Sequence, residues 1–87
     1  VMLSGHNGRL ETHQALIWQL AFNPDGELLA SVGGDGYLFL WDVLLQQPAI
    51  SRFAHVGGAT CVAFRPDGQL LVTGGLDGSV LIWGIGQ

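Results

Sequence analysis

Ser31, His13 and Asp35 are the residue types of a nucleophile, a general base and the acid that orients it, set in a chain of 87 residues. Together they would make a hydrolase. Thr73, His55 and Asp77 present the same types again, each 42 residues further on. A catalytic triad is needed once and must face a pocket, and no Gly-x-Ser-x-Gly elbow surrounds Ser31. Hydrolysis by Ser31, His13 and Asp35 is therefore kept only as a remote alternative, and the chain is read as non-enzymatic. A metal site is not expected either. His6, His13 and His55 lack ligand spacing, and the isolated Pro-Asp-Gly turns at Asp25 and Asp67 lack the alternating acidic residues of a calcium loop. Gly33-Gly34 and Gly74-Gly75 do not open a helix, so no phosphate cradle and no cofactor are expected.

The duplication reaches far beyond those residues. Phe22 recurs at Phe64, Pro24-Asp25-Gly26 at Pro66-Asp67-Gly68, Leu28-Leu29 at Leu70-Leu71, Asp35-Gly36 at Asp77-Gly78 and Trp41 at Trp83, all in one register of 42 residues. A fixed period of that length marks a repeated supersecondary unit.

Each unit reads as short strands punctuated by turns, with no helix. Ile17 to Phe22, Leu28 to Val32 and Tyr37 to Val43 are apolar runs, separated by Pro24-Asp25-Gly26 and by Gly33-Gly34-Asp35-Gly36. The second copy repeats them as Ala59 to Phe64, Leu70 to Thr73 and Ser79 to Trp83. The runs are apolar at nearly every position, which predicts strands covered on both faces. Pro48 and the run from Ala49 to Ala54 suit a fourth, edge strand. In the repeat register its counterpart is Arg9 to Thr12, so the chain is out of phase by one strand.

Composition narrows the function classes. The net charge is −4 and the only strongly basic residues are Arg9, Arg52 and Arg65, which argues against nucleic acid and against an anionic membrane surface. The acidic balance leaves room for a basic peptide. Cys61 is the only cysteine, so no intrachain disulfide is possible; among Thr60, Val62, Ala63 and Phe64 it is expected to be a buried small apolar residue. No long apolar span or signal peptide is visible, which points to a cytoplasmic protein. Hydrophobic residues make up 48% and charged residues 11%, more apolar surface than so short a chain hides alone.

Four-stranded units of this period closed by Trp41-Asp42 resemble the WD40 family, and the resemblance covers essentially the whole chain. Trp83-Gly84 keeps only the Trp, and the Gly-His pair of the family is half present, His13 following Thr12 and His55 following Ala54. Gly5-His6 looks like that pair but lies outside the register. The resemblance implies an all-β fold of two four-stranded antiparallel propeller blades, part of or assembling into a closed β-propeller. Residues 1–12 would supply an outer strand to a neighbouring blade, 13–54 the first blade, and 55–87 a second blade lacking its own outer strand.

The resemblance also implies a hydrogen-bonded tetrad in each blade: His13, Ser31, Asp35 and Trp41, then His55, Thr73, Asp77 and Trp83. Donor and acceptor inventories fit, since an indole N–H only donates, a hydroxyl accepts and passes a proton on, an imidazole does both, and a carboxylate only accepts. The implied function is a non-catalytic protein–protein interaction scaffold that binds proteins or peptides. Purely architectural blades of a larger propeller are the alternative, with the binding site or an enzymatic domain elsewhere. Two blades alone would leave about ten apolar side chains uncovered at about 1.5 to 3 kcal/mol each. Further blades of the same chain or other copies of it are therefore expected as partners. Partner contacts are expected on the rim, at Leu16, Trp18 and Gly34 in the first copy and at Gly58, Thr60 and Leu76 in the second. Trp18 stands out because Thr60 occupies its place in the other copy; its competing role is to fill a gap between blades.

Overall fold

The computed structural model of the chain describes residues 16–85. Seven strands follow in order: β1 (Ile17–Phe22), β2 (Leu28–Gly33), β3 (Tyr37–Asp42), β4 (Gln47–Phe53), β5 (Ala59–Phe64), β6 (Leu70–Gly75) and β7 (Val80–Gly84). The first four form an antiparallel sheet in the order β1-β2-β3-β4, and the last three a second sheet, β5-β6-β7. The stretch 1–15, with His6, Arg9 to Thr12 and His13, lies outside the described residues.

The turns end the strands where the sequence supplies competing hydrogen-bond groups. Gly26 N–H donates to Asn23 O at 3.0 Å and Gly68 N–H to Arg65 O at 2.8 Å, closing the two Pro-Asp-Gly turns. Both glycines have φ near +80°, a region an L side chain enters only with strain. β3 stops at Asp42, one residue earlier than expected, although the Val43 N–H still donates in register to Glu27 O at 3.1 Å. β4 starts at Gln47, earlier than Ala49, and ends at Phe53, beyond which the Ala54 N–H still donates in register to Gly36 O at 2.8 Å. β6 runs on to Gly75, and β7 begins at Val80, since Asp77 Oδ1 draws the Ser79 N–H out of the ladder. Asp42 organises the turn after β3, where its Oδ1 accepts from the Leu45 N–H at 2.9 Å.

The first strand of each sheet carries a bulge at the same repeat position, between Ile17 and Gln19 in β1 and between Ala59 and Cys61 in β5. Trp18 and Thr60 are the extra residues. A bulge re-aims its side chain and increases the local twist.

The two sheets pack face to face. Ala30, Val32, Leu38 and Leu40 of the first meet Ala59, Val62 and Leu71 of the second, with Phe64 and Trp83 packed against them. The Gln19 side-chain carbonyl crosses the junction and accepts from the Val62 backbone N–H at 2.6 Å. The expectation of strands covered on both faces holds for β3, whose four central residues are all buried, and not for β1 or β7, which are mostly exposed or half-buried. β1 and β7 lie at sheet edges and place apolar side chains on the faces turned away from the junction.

Cys61 is exposed, not buried as expected. It occupies the repeat position of Gln19, and pairing opposite Gly74 puts it on the face of the second sheet that turns away from the first. Apolar neighbours in sequence hid this, because alternate residues of a strand point to opposite faces.

Candidate functional site

His55 sits in the connection after β4 and joins the two sheets. Its backbone N–H donates to Gly36 O at 3.0 Å, in the turn between β2 and β3 of the first sheet. Its ring points into the second. Nε2 is 2.8 Å from Thr73 Oγ1, and Nδ1 is 3.0 Å from Asp77 Oδ1 and 2.9 Å from Ser79 Oγ. The Trp83 indole N–H donates to Thr73 Oγ1 at 3.0 Å. An ionised carboxylate only accepts, so Nδ1 carries the ring proton and Nε2 is left as acceptor. Thr73 accepts from the indole and donates its hydroxyl proton to His55 Nε2.

Asp77 Oδ1 also accepts from the Ser79 backbone N–H at 3.0 Å and the Ser79 hydroxyl at 2.7 Å. These two bonds, followed by the His55 ring, hold its carboxyl down at about 2. His55 and Thr73 have no exposed surface. Gly75 floors the imidazole, since a Cβ there would run into the ring. With both its hydrogen-bonding directions used and no solvent access, Thr73 is placed to hold the fold and has no opening to a substrate.

In the first sheet the Trp41 indole N–H donates to Ser31 Oγ at 3.0 Å, and Asp35 Oδ1 accepts from the Tyr37 N–H at 3.1 Å. Ser31 is buried, a poor position for a nucleophile that must meet a substrate. His13, the third member of that set, lies outside the described residues. Among the described residues no group of three or more His, Cys, Asp or Glu is placed to hold a metal ion, and no helix is long and apolar enough to cross a membrane.

The rim candidates fall into two groups. Trp18 lies over Gly58, where an added Cβ would come within 2.6 and 2.8 Å of the indole ring. That packing bridges the two sheets, yet 43% of Trp18 remains exposed. Leu16 and Leu76 are exposed beside it, as is Val56. Gly34 and Gly58 act through the backbone. The Gly34 N–H donates to Leu16 O at 2.8 Å, and the Leu76 N–H to Gly58 O at 3.0 Å. Gly58 is buried under Trp18 and so positions that ring, offering no surface of its own. Thr60 is half-buried, with its hydroxyl given to Gly74 O at 3.2 Å.

Ser79 and Gln19 were not singled out from the sequence. Ser79 follows an Asp-Gly pair, a turn signal, but Tyr37 stands at its place in the first copy. Gln19 stands where the second copy has Cys61. In both cases comparing the copies concealed the role.

The family model described as "WD domain, G-beta repeat" matches residues 2–42 and 47–84. The chain belongs to the WD40 family. Its two sheets are WD40 blades of a β-propeller fold. A chain in the crystal structure of a mitotic checkpoint complex superposes with a TM-score of 0.79 and 32% identity, over 86% of this chain and 24% of that one. A probable cytosolic Fe-S cluster assembly factor of Schizosaccharomyces japonicus is 42% identical over 43 residues, 49% of this chain and 7% of that protein. A probable cytosolic iron-sulfur protein assembly protein CIAO1 homolog of Ixodes scapularis is 50% identical over 32 residues, 37% of this chain and 10% of that protein. The chain thus spans a tenth or less of these two relatives.

Proposed function

We propose that the chain is a non-catalytic protein-interaction scaffold whose contact surface is the rim around Trp18. The observation that carries this is the placement of Trp18 on a β-bulge, half exposed over Gly58, with Leu16 and Leu76 open beside it. An aromatic that is rigidly seated and still partly open is the kind of residue that dominates binding energy at interfaces. WD40 proteins are in general scaffolds of this kind. The names of the relatives speak of assembly, and the solved neighbour belongs to a complex; the relatives are also named as cytosolic, which supports a cytoplasmic setting for this chain. The partner is a protein segment with an apolar anchor and basic flanks, to suit a net charge of −4.

The rival reading is architectural, and the packing of Trp18 on Gly58 favours it: the ring would then only brace the two blades. Selection of displayed peptides on the chain, followed by Trp18→Ala, separates the two. Loss of peptide affinity by about tenfold or more with an unchanged unfolding midpoint supports the rim site. Unchanged affinity, or affinity lost only in step with stability, supports the brace.

A further inference from the structure

The two blades also meet at the end of their strands opposite the Trp18 rim. β1 runs from Ile17 to Phe22 and β3 from Tyr37 to Asp42, so the turns that follow them, at 23–27 and 43–46, lie far from Trp18. With Asp67 and Gly68 of the second blade these turns enclose a groove of about 610 Å³. The two Pro-Asp-Gly turns touch, since a Cβ added at Gly68 would lie 3.3 Å from Pro24 Cδ.

Among the described residues, every charged side chain lining the groove is acidic: Asp25, Glu27, Asp42 and Asp67. The two copies of the repeat differ here. In the second blade Arg65 Nη2 pairs with Asp67 Oδ2 at 2.5 Å. In the first, 42 residues earlier, Asn23 stands in the place of Arg65, and its side-chain oxygen accepts from the Leu28 N–H at 2.9 Å. Asp25 keeps the Glu27 N–H, at 3.0 Å, but has no arginine beside it. Glu27 adds a further carboxylate where the second copy has the neutral Gln69. Turn formation requires neither difference, because the second copy makes the same turn without them. The uncompensated charge is a property of the first blade and not of the repeat.

An apolar contact adjoins this charge. Leu44 lines the groove, and Leu44 and Leu45 are 71% and 65% exposed. Turn tips are usually polar. Here two leucines stand side by side on a turn that is firmly held, with Asp42 Oδ1 accepting from the Leu45 N–H at 2.9 Å and Asp42 O from the Gln46 N–H at 2.8 Å. Singly exposed apolar residues need no explanation, whereas adjacent ones rimmed by polar groups mark a contact surface.

We propose that this groove docks a protein segment that carries arginine or lysine next to large apolar side chains. The cations lie against Asp25, Glu27 and Asp42, and the apolar side chains rest on Leu44 and Leu45. Carboxylates grouped without a cation suit the guanidinium fork of arginine in particular. Nucleic acid and anionic headgroups carry the wrong sign. The surface is separate from the Trp18 rim and is independent of it.

The probe is a fluorescein-labelled, amidated peptide with two arginines followed by two leucines, and fluorescence polarisation gives its Kd on the protein. Saturable binding is expected. Serine in place of the leucines, or glutamate in place of the arginines, should each weaken it about tenfold or more. On the protein, Asp25→Asn with Glu27→Gln, and separately Leu44→Ser with Leu45→Ser, should do the same at an unchanged unfolding midpoint, all four side chains being exposed. Leu76→Ser, on the rim, should leave the Kd as it was. No saturable binding, equal binding of the serine peptide, or a Kd that either pair of substitutions leaves unchanged overturns the proposal. Binding lost in Leu76→Ser overturns it as well, and places the peptide on the rim instead.

Discussion

His55 Nε2 lies 2.8 Å from Thr73 Oγ1, and neither residue has any exposed surface. The backbone of His55 is tied to the first blade through Gly36 O, and its ring to the second through Thr73, Asp77 and Ser79. His55 therefore ties one blade to the other. Because the ring proton lies on Nδ1, the order of donation runs from Trp83 through Thr73 and His55 to Asp77.

Replacing Thr73 by valine keeps the volume and removes the hydroxyl on which two partners depend. The Trp83 indole N–H and the buried His55 Nε2 then lose that partner, at about 1 to 3 kcal/mol for a group left unsatisfied out of reach of water. Thr73→Ser should recover most of the loss, since Ser31 accepts from Trp41 in the same way at 3.0 Å in the first blade. Urea unfolding of the three proteins, followed by tryptophan fluorescence, checks this order.

Asp77 links stability to acid. Its carboxyl is depressed from 3.8 to about 2, first by the Ser79 N–H, then by the Ser79 hydroxyl and the His55 ring. A depressed folded value contributes stability that is complete above the unfolded value and is lost as pH falls through the folded one. The midpoint of thermal unfolding should therefore fall between about pH 4 and pH 2. Asp77→Asn should be less stable at neutral pH and should lack this part of the acid dependence.

Gly75 and Gly78 are glycines for different reasons, and alanine at each should show it. At Gly75 the added Cβ meets the His55 ring, an overpacking that costs about 1 to 3 kcal/mol. At Gly78 the space is open but φ is +81°, so the cost is backbone strain of about 1 to 2 kcal/mol. The side-chain environment tells them apart. Gly75→Ala should change the near-ultraviolet circular dichroism of Trp83 through the displaced ring, and Gly78→Ala should leave it as it was.

Gln19 spans the blade junction, and Gln19→Ala should cost about 0.5 to 1.5 kcal/mol through the lost bond to the Val62 N–H. Hydrogen exchange offers the sharper reading. Protection of the Val62 amide should fall in the variant while that of amides in the β2–β3 ladder is kept.

The repeat, the strands and the turns were all legible in the sequence. The 42-residue register of Trp41 with Trp83 and of Asp35-Gly36 with Asp77-Gly78 reports which backbone positions recur, and Pro-Asp-Gly reports where the chain reverses. The start of β7 shifted by a residue where the Asp77 carboxylate competed for the Ser79 N–H. Local composition does not show which competitor wins.

The sequence by itself determined the unit that is duplicated, because periodic residue types reflect the strand and turn conformations that each short segment must adopt. The second set, His55, Thr73, Asp77 and Trp83, was implied by the family resemblance, and the donor and acceptor inventories of those residue types fit it. Tertiary structure alone decided what the non-repeating residues do. Cys61 is exposed and Gln19 bridges the blades, although both hold the same place in the repeat; Trp18 is braced by Gly58, and Ser79 joins Asp77. These outcomes depend on which face of a sheet meets another sheet, and that is set by long-range packing between strands far apart in the chain.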